Sequence, residues 1–281
     1  MKVYLYTILW NEEEMLGFFF RHYDSIVDRY FVYDNGSTDR TRELLAAHPK
    51  VEIRPFVFSH PDSYVLSAQT LHESMWQESR GVADWVIVTA VDELLYHPVG
   101  LPRYLRERAQ AGDTALPALA FQMVSDTFPV ADENLAESRR LGVPLDHYNK
   151  LSVFNPDAIE ATQYDVGRHR AKPRGRVRYP RRDELLLLHY KFLGLDYVAR
   201  RYALLRTGLG TTDRKHGFGH EYDIEQAALK AELDGLRAKC FDVTGDRARR
   251  LWRQRWWRWP WSWLGPRGGR LAALWLRSRD Q

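Results

Sequence analysis

The sequence predicts an α/β fold with a mainly parallel central sheet, followed by a helical, Trp- and Arg-rich C-terminal tail. Three observations carry that prediction. Short β-rich runs alternate with amphipathic stretches over the first hundred residues or so. One run, Trp85 to Val88, is wholly apolar, as a strand covered on both faces should be. Polar clusters follow three of the runs closely, and in open α/β sheets ligands bind beyond the carboxyl ends of the strands.

Taken in order, Val3 to Leu9 is a strand that stops at Trp10-Asn11-Glu12, and Met15 to Tyr23 has the apolar spacing of a helix. Tyr30 to Tyr33 is a second strand. It is ended by Asp34-Asn35-Gly36-Ser37-Thr38-Asp39, which combines a turn with helix-capping side chains, and Thr41 to Ala47 continues as a helix until Pro49. Val51 to Phe58 is a third strand, and Ser63 to Arg80 a helix with Tyr64, Ala68, Leu71 and Met75 at helical spacing. From about residue 115 to 195 the alternation is less regular and predicts antiparallel strands mixed with long loops, Leu116 to Val124 and Leu185 to Tyr190 being the clearest strands. Asp196 to Thr207 and Ile224 to Cys240 read as helices.

Charge divides the chain. The formal net charge is +4, but residues 246 to 281 hold ten arginines against Asp246 and Asp280, a net of +8, leaving residues 1 to 245 at −4. Seven of the ten tryptophans also fall in that last segment, so a slightly acidic body carries a basic, aromatic tail. No stretch approaches the ~20 consecutive apolar residues of a spanning helix. The N-terminus has too short an apolar region for a signal peptide, so the expected location is cytoplasmic. Cys240 is the only cysteine, which excludes an internal disulfide and a multi-cysteine zinc cluster.

Several nucleotide and hydrolase motifs are missing: the phosphate-cradling Gly-x-x-x-x-Gly-Lys-Ser/Thr, the dinucleotide glycine fingerprint, the Gly-x-Ser-x-Gly elbow and the His-Glu-x-x-His zinc site. Carboxylates at strand ends remain. Asp34, between a strand and a turn, is placed to accept hydrogen bonds from a nucleobase or ribose; the alternative is that Asp34 and Asp39 cap turn and helix. Asp92-Glu93 follows an apolar run, where ionised side chains are costly to bury unless paired or bound to a cation. The alternative there is a pair of solvated loop acids.

Thr7-Ile8-Leu9-Trp10-Asn11-Glu12, then Val32 through Thr41, then Asp84 through Glu93, resemble the ordered motifs of family 2-like glycosyltransferases of the GT-A fold, in the branch with an Asp-x-Asp-Glu motif. The resemblance continues through Tyr148-Asn149-Lys150, Gly167-Arg168-His169, Leu188-His189-Tyr190-Lys191 and Gly217-Phe218-Gly219-His220, and spans roughly residues 1 to 222. It divides the chain into a GT-A-like domain over 1–222, a C-terminal helix over 223–245 and the tail over 246–281. It implies a transferase acting on a nucleotide-sugar donor, UDP-linked by preference, and on a saccharide or lipid-linked acceptor, by inverting displacement. The donor site it implies comprises Asn11, Glu12, Asp34, Asp92, Glu93, Lys150, His169 and Lys191.

The same resemblance implies a Mn2+ or Mg2+ ion at Asp92, completed by His169 or His189 and the donor diphosphate. One position departs from the motif: its first aspartate is replaced by Ala90. That departure motivates a second reading, a catalytically impaired nucleotide-sugar-binding or membrane-adaptor protein. An inverting displacement needs a carboxylate to take the acceptor proton. Asp126, after a predicted strand, is the first candidate and Glu221 the second. The interleaved Trp and Arg of residues 246–281 suit a monotopic attachment to an anionic membrane surface, on the inner face of the cell membrane. Packing of those tryptophans on the body is the alternative. The acidic body disfavours nucleic acid.

Overall fold

Both faces of the first strand are buried, which is why its sequence shows no polar alternation. In the computed structural model, which describes residues 1–180 and 185–245, Val3, Leu5 and Leu9 of β1 (Val3–Leu9) point into one core and Tyr4, Tyr6 and Ile8 into a second core across the sheet. The tail of residues 246–281, with its expected membrane attachment, lies outside the described residues.

The first half of the chain follows the predicted alternation: α1 (Glu13–Tyr23), β2 (Arg29–Asp34), α2 (Thr41–Ala47), β3 (Val51–Pro55), α3 (Tyr64–Ser74), β4 (Trp85–Val88), β5 (Glu93–Tyr96) and α4 (Leu101–Ala111). Strands β3, β2, β1 and β4 lie side by side and parallel. The chain then continues as β6 (Ala115–Ser125), α5 (Leu135–Ser138), β7 (Leu141–Pro144), β8 (Lys150–Phe154), β9 (Ile159–Ala161), β10 (Arg174–Gly175), β11 (Leu185–Leu193), α6 (Leu195–Thr207), α7 (Thr211–Lys215), α8 (Gln226–Arg237) and β12 (Phe241–Asp242). The α/β class with a central sheet is as the sequence predicts, and so are antiparallel partners from the middle of the chain: β8 pairs antiparallel with β4 and with β6. Strand β11 runs parallel to β6 and antiparallel to β5.

Three elements are shorter than their sequence patterns, α8 among them, which is Gln226–Arg237 where Ile224 to Cys240 is expected. Expected to reach Phe58, β3 ends at Pro55, with one further ladder bond from Phe56 N to Asp34 O (3.0 Å). The helix expected over 63–80 ends at Ser74 and gives way to a tight turn at Gln77–Ser79, which swings the fully buried Trp76 into the second core, edge-on to Phe154 with ring centroids 4.8 Å apart. Leu229 and Leu233 of α8 bury in the first core, so this helix packs on the same body. Among the described residues no helix is long and apolar enough to cross a membrane.

The end of α1 is sewn to β5. Tyr23 donates its hydroxyl proton to Glu93 O (3.0 Å) and accepts from Leu95 N (2.8 Å), while His22 Nε2 lies 2.8 Å from Leu95 O. Burial lowers the His22 pKa to about 4, against the opposing pull of the Leu95 carbonyl. The folded pKa thus lies below the unfolded value near 6.5, so stability is full above pH 6.5 and is lost as pH falls toward 4. Between pH 6.5 and 5 this group alone should remove roughly 1.5 kcal/mol. A His22→Gln variant, which keeps an N–H donor without a titrating ring, should lose that much less over the same interval in urea melts; identical pH slopes would refute the assignment.

Candidate active site

Because β1, β2 and β4 are parallel, with Leu9 opposite Asp34 and Tyr6 opposite Val88, the chain leaves all three strands at one edge of the sheet. The first two exits are clasped together. Asn11 takes a left-handed conformation, φ 51°, which Asn tolerates better than most residues. There its amide N–H donates to Ser37 Oγ (2.9 Å), and its Oδ1 accepts from Thr38 N (2.7 Å) and Asp39 N (3.3 Å). Glu12 N donates to Thr41 Oγ1 (2.7 Å), and Glu13 N to Asp39 Oδ2 (3.2 Å). Asp34 is buried; its Oδ1 accepts from Ser37 N (3.0 Å) and its Oδ2 lies 3.6 Å from Arg42 Nε. For Asn11, Asp34 and Asp39, then, the bonds present are those of the turn-building alternative.

The third exit is organised by buried charge. Glu93 opens β5 and is buried, as are Lys150 and Arg168. Lys150 Nζ donates to Glu93 Oε1; Arg168 donates to Glu93 Oε2 (2.9 Å) and to Val88 O (2.5 Å). The antiparallel register of β8 against β4 explains Lys150, since the strand that pairs Phe154 with Val86 begins beyond the end of β4. Arg168 reaches inward from two consecutive left-handed residues, Gly167 (φ 66°) and Arg168 itself (φ 60°), a strained backbone that the buried ion pair holds in place. Burial would raise the Glu93 carboxyl, but the ammonium and guanidinium beside it hold it well below the usual carboxylate range. The solvated-acid reading of Glu93 is therefore corrected. Glu93 and Lys150 are bonded to each other, and with Arg168 the cluster holds two cations to one carboxylate.

Asp92 differs. Its side chain is 28% exposed, and its Oδ2 lies 3.3 Å from His189 Nε2. Burial acts to raise this carboxyl, and the adjacent imidazole outweighs it and lowers it. Strand β11 delivers His189 because it pairs antiparallel with β5, His189 opposite Glu93. Two residues on, the Lys191 ammonium sits over the rings of Tyr202 (4.7 Å) and Tyr222 (5.3 Å), with Glu221 Oε1 3.9 Å away. Burial lowers its pKa, opposed by Glu221 and Asp92. The ring of Tyr148 packs against His169 and His189, with centroids 4.4 and 5.3 Å away. Burial takes His169 down to about 3, neutral at physiological pH.

Arg201 closes the arrangement. From α6 it donates to Trp10 O (3.0 Å), Asn11 O (2.7 Å) and Glu12 Oε1. Burial pushes the Glu12 carboxyl up to about 8 in spite of that guanidinium, with Asp92 and Asp39 adding to the rise. Sequence reasoning missed Arg201, and with it Tyr148, Tyr202 and Tyr222. A signal existed in α6, where Tyr197, Val198 and Tyr202 form the buried face and Arg201 falls beside it at helical spacing.

Of the residues expected at the site, Asn11, Glu12, Asp34, Asp92, Glu93, Lys150, His169, His189, Lys191 and Glu221 are gathered at this edge. Asp126 is not: beyond the end of β6 it is exposed and paired with Arg237 of α8. The expected metal set is not assembled either. Among the described residues no three His, Cys, Asp or Glu side chains stand together as a metal site. Ala90 offers no oxygen, both Glu93 oxygens are spent on cations, and Asp92 is engaged by His189. Asp92 is the one carboxylate left, so before a donor diphosphate adds its oxygens these residues are too few to hold a resident Mn2+ or Mg2+.

No family model matches the chain, and no curated protein sequence matches it. One similar solved structure is described as a mycobacterial protein, with 20% identity and a TM-score of 0.28, the likeness covering 43% of this chain and 40% of that one. A 4-diphosphocytidyl-2C-methyl-D-erythritol synthase is similar at 16% identity and TM-score 0.30, over 56% of this chain and 76% of that one. A second, from Anaerococcus prevotii DSM 20548, shares 8% identity with TM-score 0.29 over 55% and 71%. Likeness of this degree carries no argument about chemistry, and the site stands on its own geometry.

Proposed function

We propose that the chain is a glycosyltransferase that moves a sugar from a nucleoside-diphosphate donor, UDP-linked by preference, to a hydroxyl of a saccharide or lipid-linked acceptor with inversion. The observation that supports it most is the convergence of three strand exits on one edge, where Asp92 and Lys191 stand beside a wall of tyrosines. The order of motifs along the sequence points the same way. Attachment to an anionic membrane through residues 246–281 belongs to this reading as a way of meeting a lipid-linked acceptor.

In this mechanism the acceptor oxygen attacks the sugar carbon while its proton passes to a carboxylate, and the bond to the diphosphate breaks with its electron pair on the leaving oxygen. Glu221 is the base in this reading, because it borders Lys191 and is partly open to the acceptor side. Asp126, exposed and tied to Arg237, is set aside. Lys191 meets the charge that develops on the leaving diphosphate, and the Asp92 oxygen not facing His189 accepts donor hydroxyls. Release of nucleoside diphosphate from a panel of nucleotide sugars tests this. Glu221→Gln should lower kcat by roughly 10²- to 10⁴-fold with donor KM little changed, as removal of a general base does, while Asp126→Asn should match the native chain. The reverse pattern would reinstate Asp126. Nucleoside-diphosphate binding without turnover would favour the binding-protein reading that Ala90 motivates.

A further inference from the structure

The cations around this edge are not equivalent. Lys150 and Arg168 have hydrogen-bond acceptors in Glu93, and Arg201 in Glu12 and two backbone carbonyls. Lys191 is different: its side chain is 15% exposed, it makes no hydrogen bond among the described residues, and its nearest carboxylate oxygen is at 3.9 Å. The ammonium keeps some access to solvent and has only the loose Glu221 contact, so an arriving anion can replace water on its donors. The faces of Tyr202 and Tyr222 fix its position without consuming its three donors. Two positions before Asp92, where the motif that the sequence resembles has its first carboxylate, stands Ala90.

We propose that this site binds its nucleoside diphosphate without a divalent metal, Lys191 supplying the positive charge that an ion bridging two carboxylates would supply elsewhere. The inference rests on the nucleotide-sugar reading of the site and deepens it. In this reading Ala90 and Lys191 are complementary: the first leaves one carboxylate fewer near Asp92, and the second offers a positive charge to the phosphates. His189 contributes to the same balance by engaging the one remaining carboxylate, leaving Asp92 less able to recruit a cation of its own.

Isothermal titration of the full chain with UDP, GDP, CDP and ADP, once in EDTA and once in Mn2+, tests this. The diphosphate that binds should do so with affinities within about twofold in the two buffers. Lys191→Ala should weaken binding in EDTA by roughly ten- to a hundredfold, the worth of a hydrogen bond to a charged group, and Lys191→Arg should retain most of it. Ala90→Asp, which places a second carboxylate beside Asp92, should weaken binding in EDTA and recover it in Mn2+. Binding that requires Mn2+ in the native chain would overturn the inference and leave the nucleotide reading intact. Native-like binding by Lys191→Ala in EDTA would also overturn it. Binding of none of the four in either buffer would remove both.

Discussion

Glu93→Ala is expected to destabilise the protein by about 3–5 kcal/mol, the cost of removing one member of a buried ion cluster. The carboxylate is buried, its two oxygens are divided between Lys150 and Arg168, and Ala90 N also donates to it (3.2 Å). Its loss leaves a buried ammonium and guanidinium facing each other in a poorly solvated space. Lys150 can shed its proton, since burial already lowers its pKa with Glu93 opposing; Arg168 cannot. The double variant Glu93→Leu with Lys150→Met should recover part of the loss, because an apolar pair leaves fewer charges stranded. Urea unfolding of the native chain, both single variants and the double variant completes the cycle. A loss below about 1 kcal/mol for Glu93→Ala would mean that water reaches the cluster and that it does not organise the third strand exit.

Asp213→Ala should cost about 3 kcal/mol, for a different reason. Asp213 opens no ion pair among the described residues; it is fully buried and accepts from Ser63 Oγ, Tyr64 N (2.9 Å), Val65 N (3.3 Å) and Gly210 N (3.2 Å). It thereby satisfies the open N–H groups at the start of α3 from the start of α7. The exchange is mutual: Asp62, before α3, accepts from Thr211 N and Thr212 N (3.1 Å each) at the start of α7. Removing Asp213 strands several buried donors at once, whereas Asp213→Asn keeps an acceptor and should lose less. The start of α3 carries Tyr64, which feels the charges of Arg201 and Glu12, so amide exchange should quicken at Tyr64 and Val65 in Asp213→Ala and remain native at β1. Unchanged exchange at those amides would show that the two helices hold without the exchanged caps.

Neither carboxylate's role was visible before the fold. Asp213 lies about 150 positions from the helix it caps, and no local pattern joins them. An acid after an apolar run needs a partner, which makes Glu93 stand out in the sequence; its partners come from the start of β8 and from a left-handed turn at Gly167-Arg168. Asp126 and Glu221 looked alike in the sequence, two acids without distinctive spacing. Packing of α8 gives the first to Arg237, while the short helical turn His220–Asp223 sets the second beside Lys191.

By itself the sequence determined the strand–helix alternation, the apolar strands at the sheet centre, and the polar groups at the exits of β1, β2 and β4, because side-chain periodicity and turn chemistry are local properties of the chain. From these the edge of the sheet that carries the site follows, since parallel strands end together. Which charges at that edge are paired, and which are left for a ligand, only the tertiary structure decided. That outcome depends on the antiparallel register of β5 and β8 and on the return of α6, which bring Lys150 to Glu93, Arg201 to Glu12 and Lys191 to the same edge beside Glu221. Coulomb energy and desolvation act over ångströms in space and not over positions in sequence, so Lys150 is bonded to Glu93 while Lys191 lies over two tyrosine rings with Glu221 3.9 Å away.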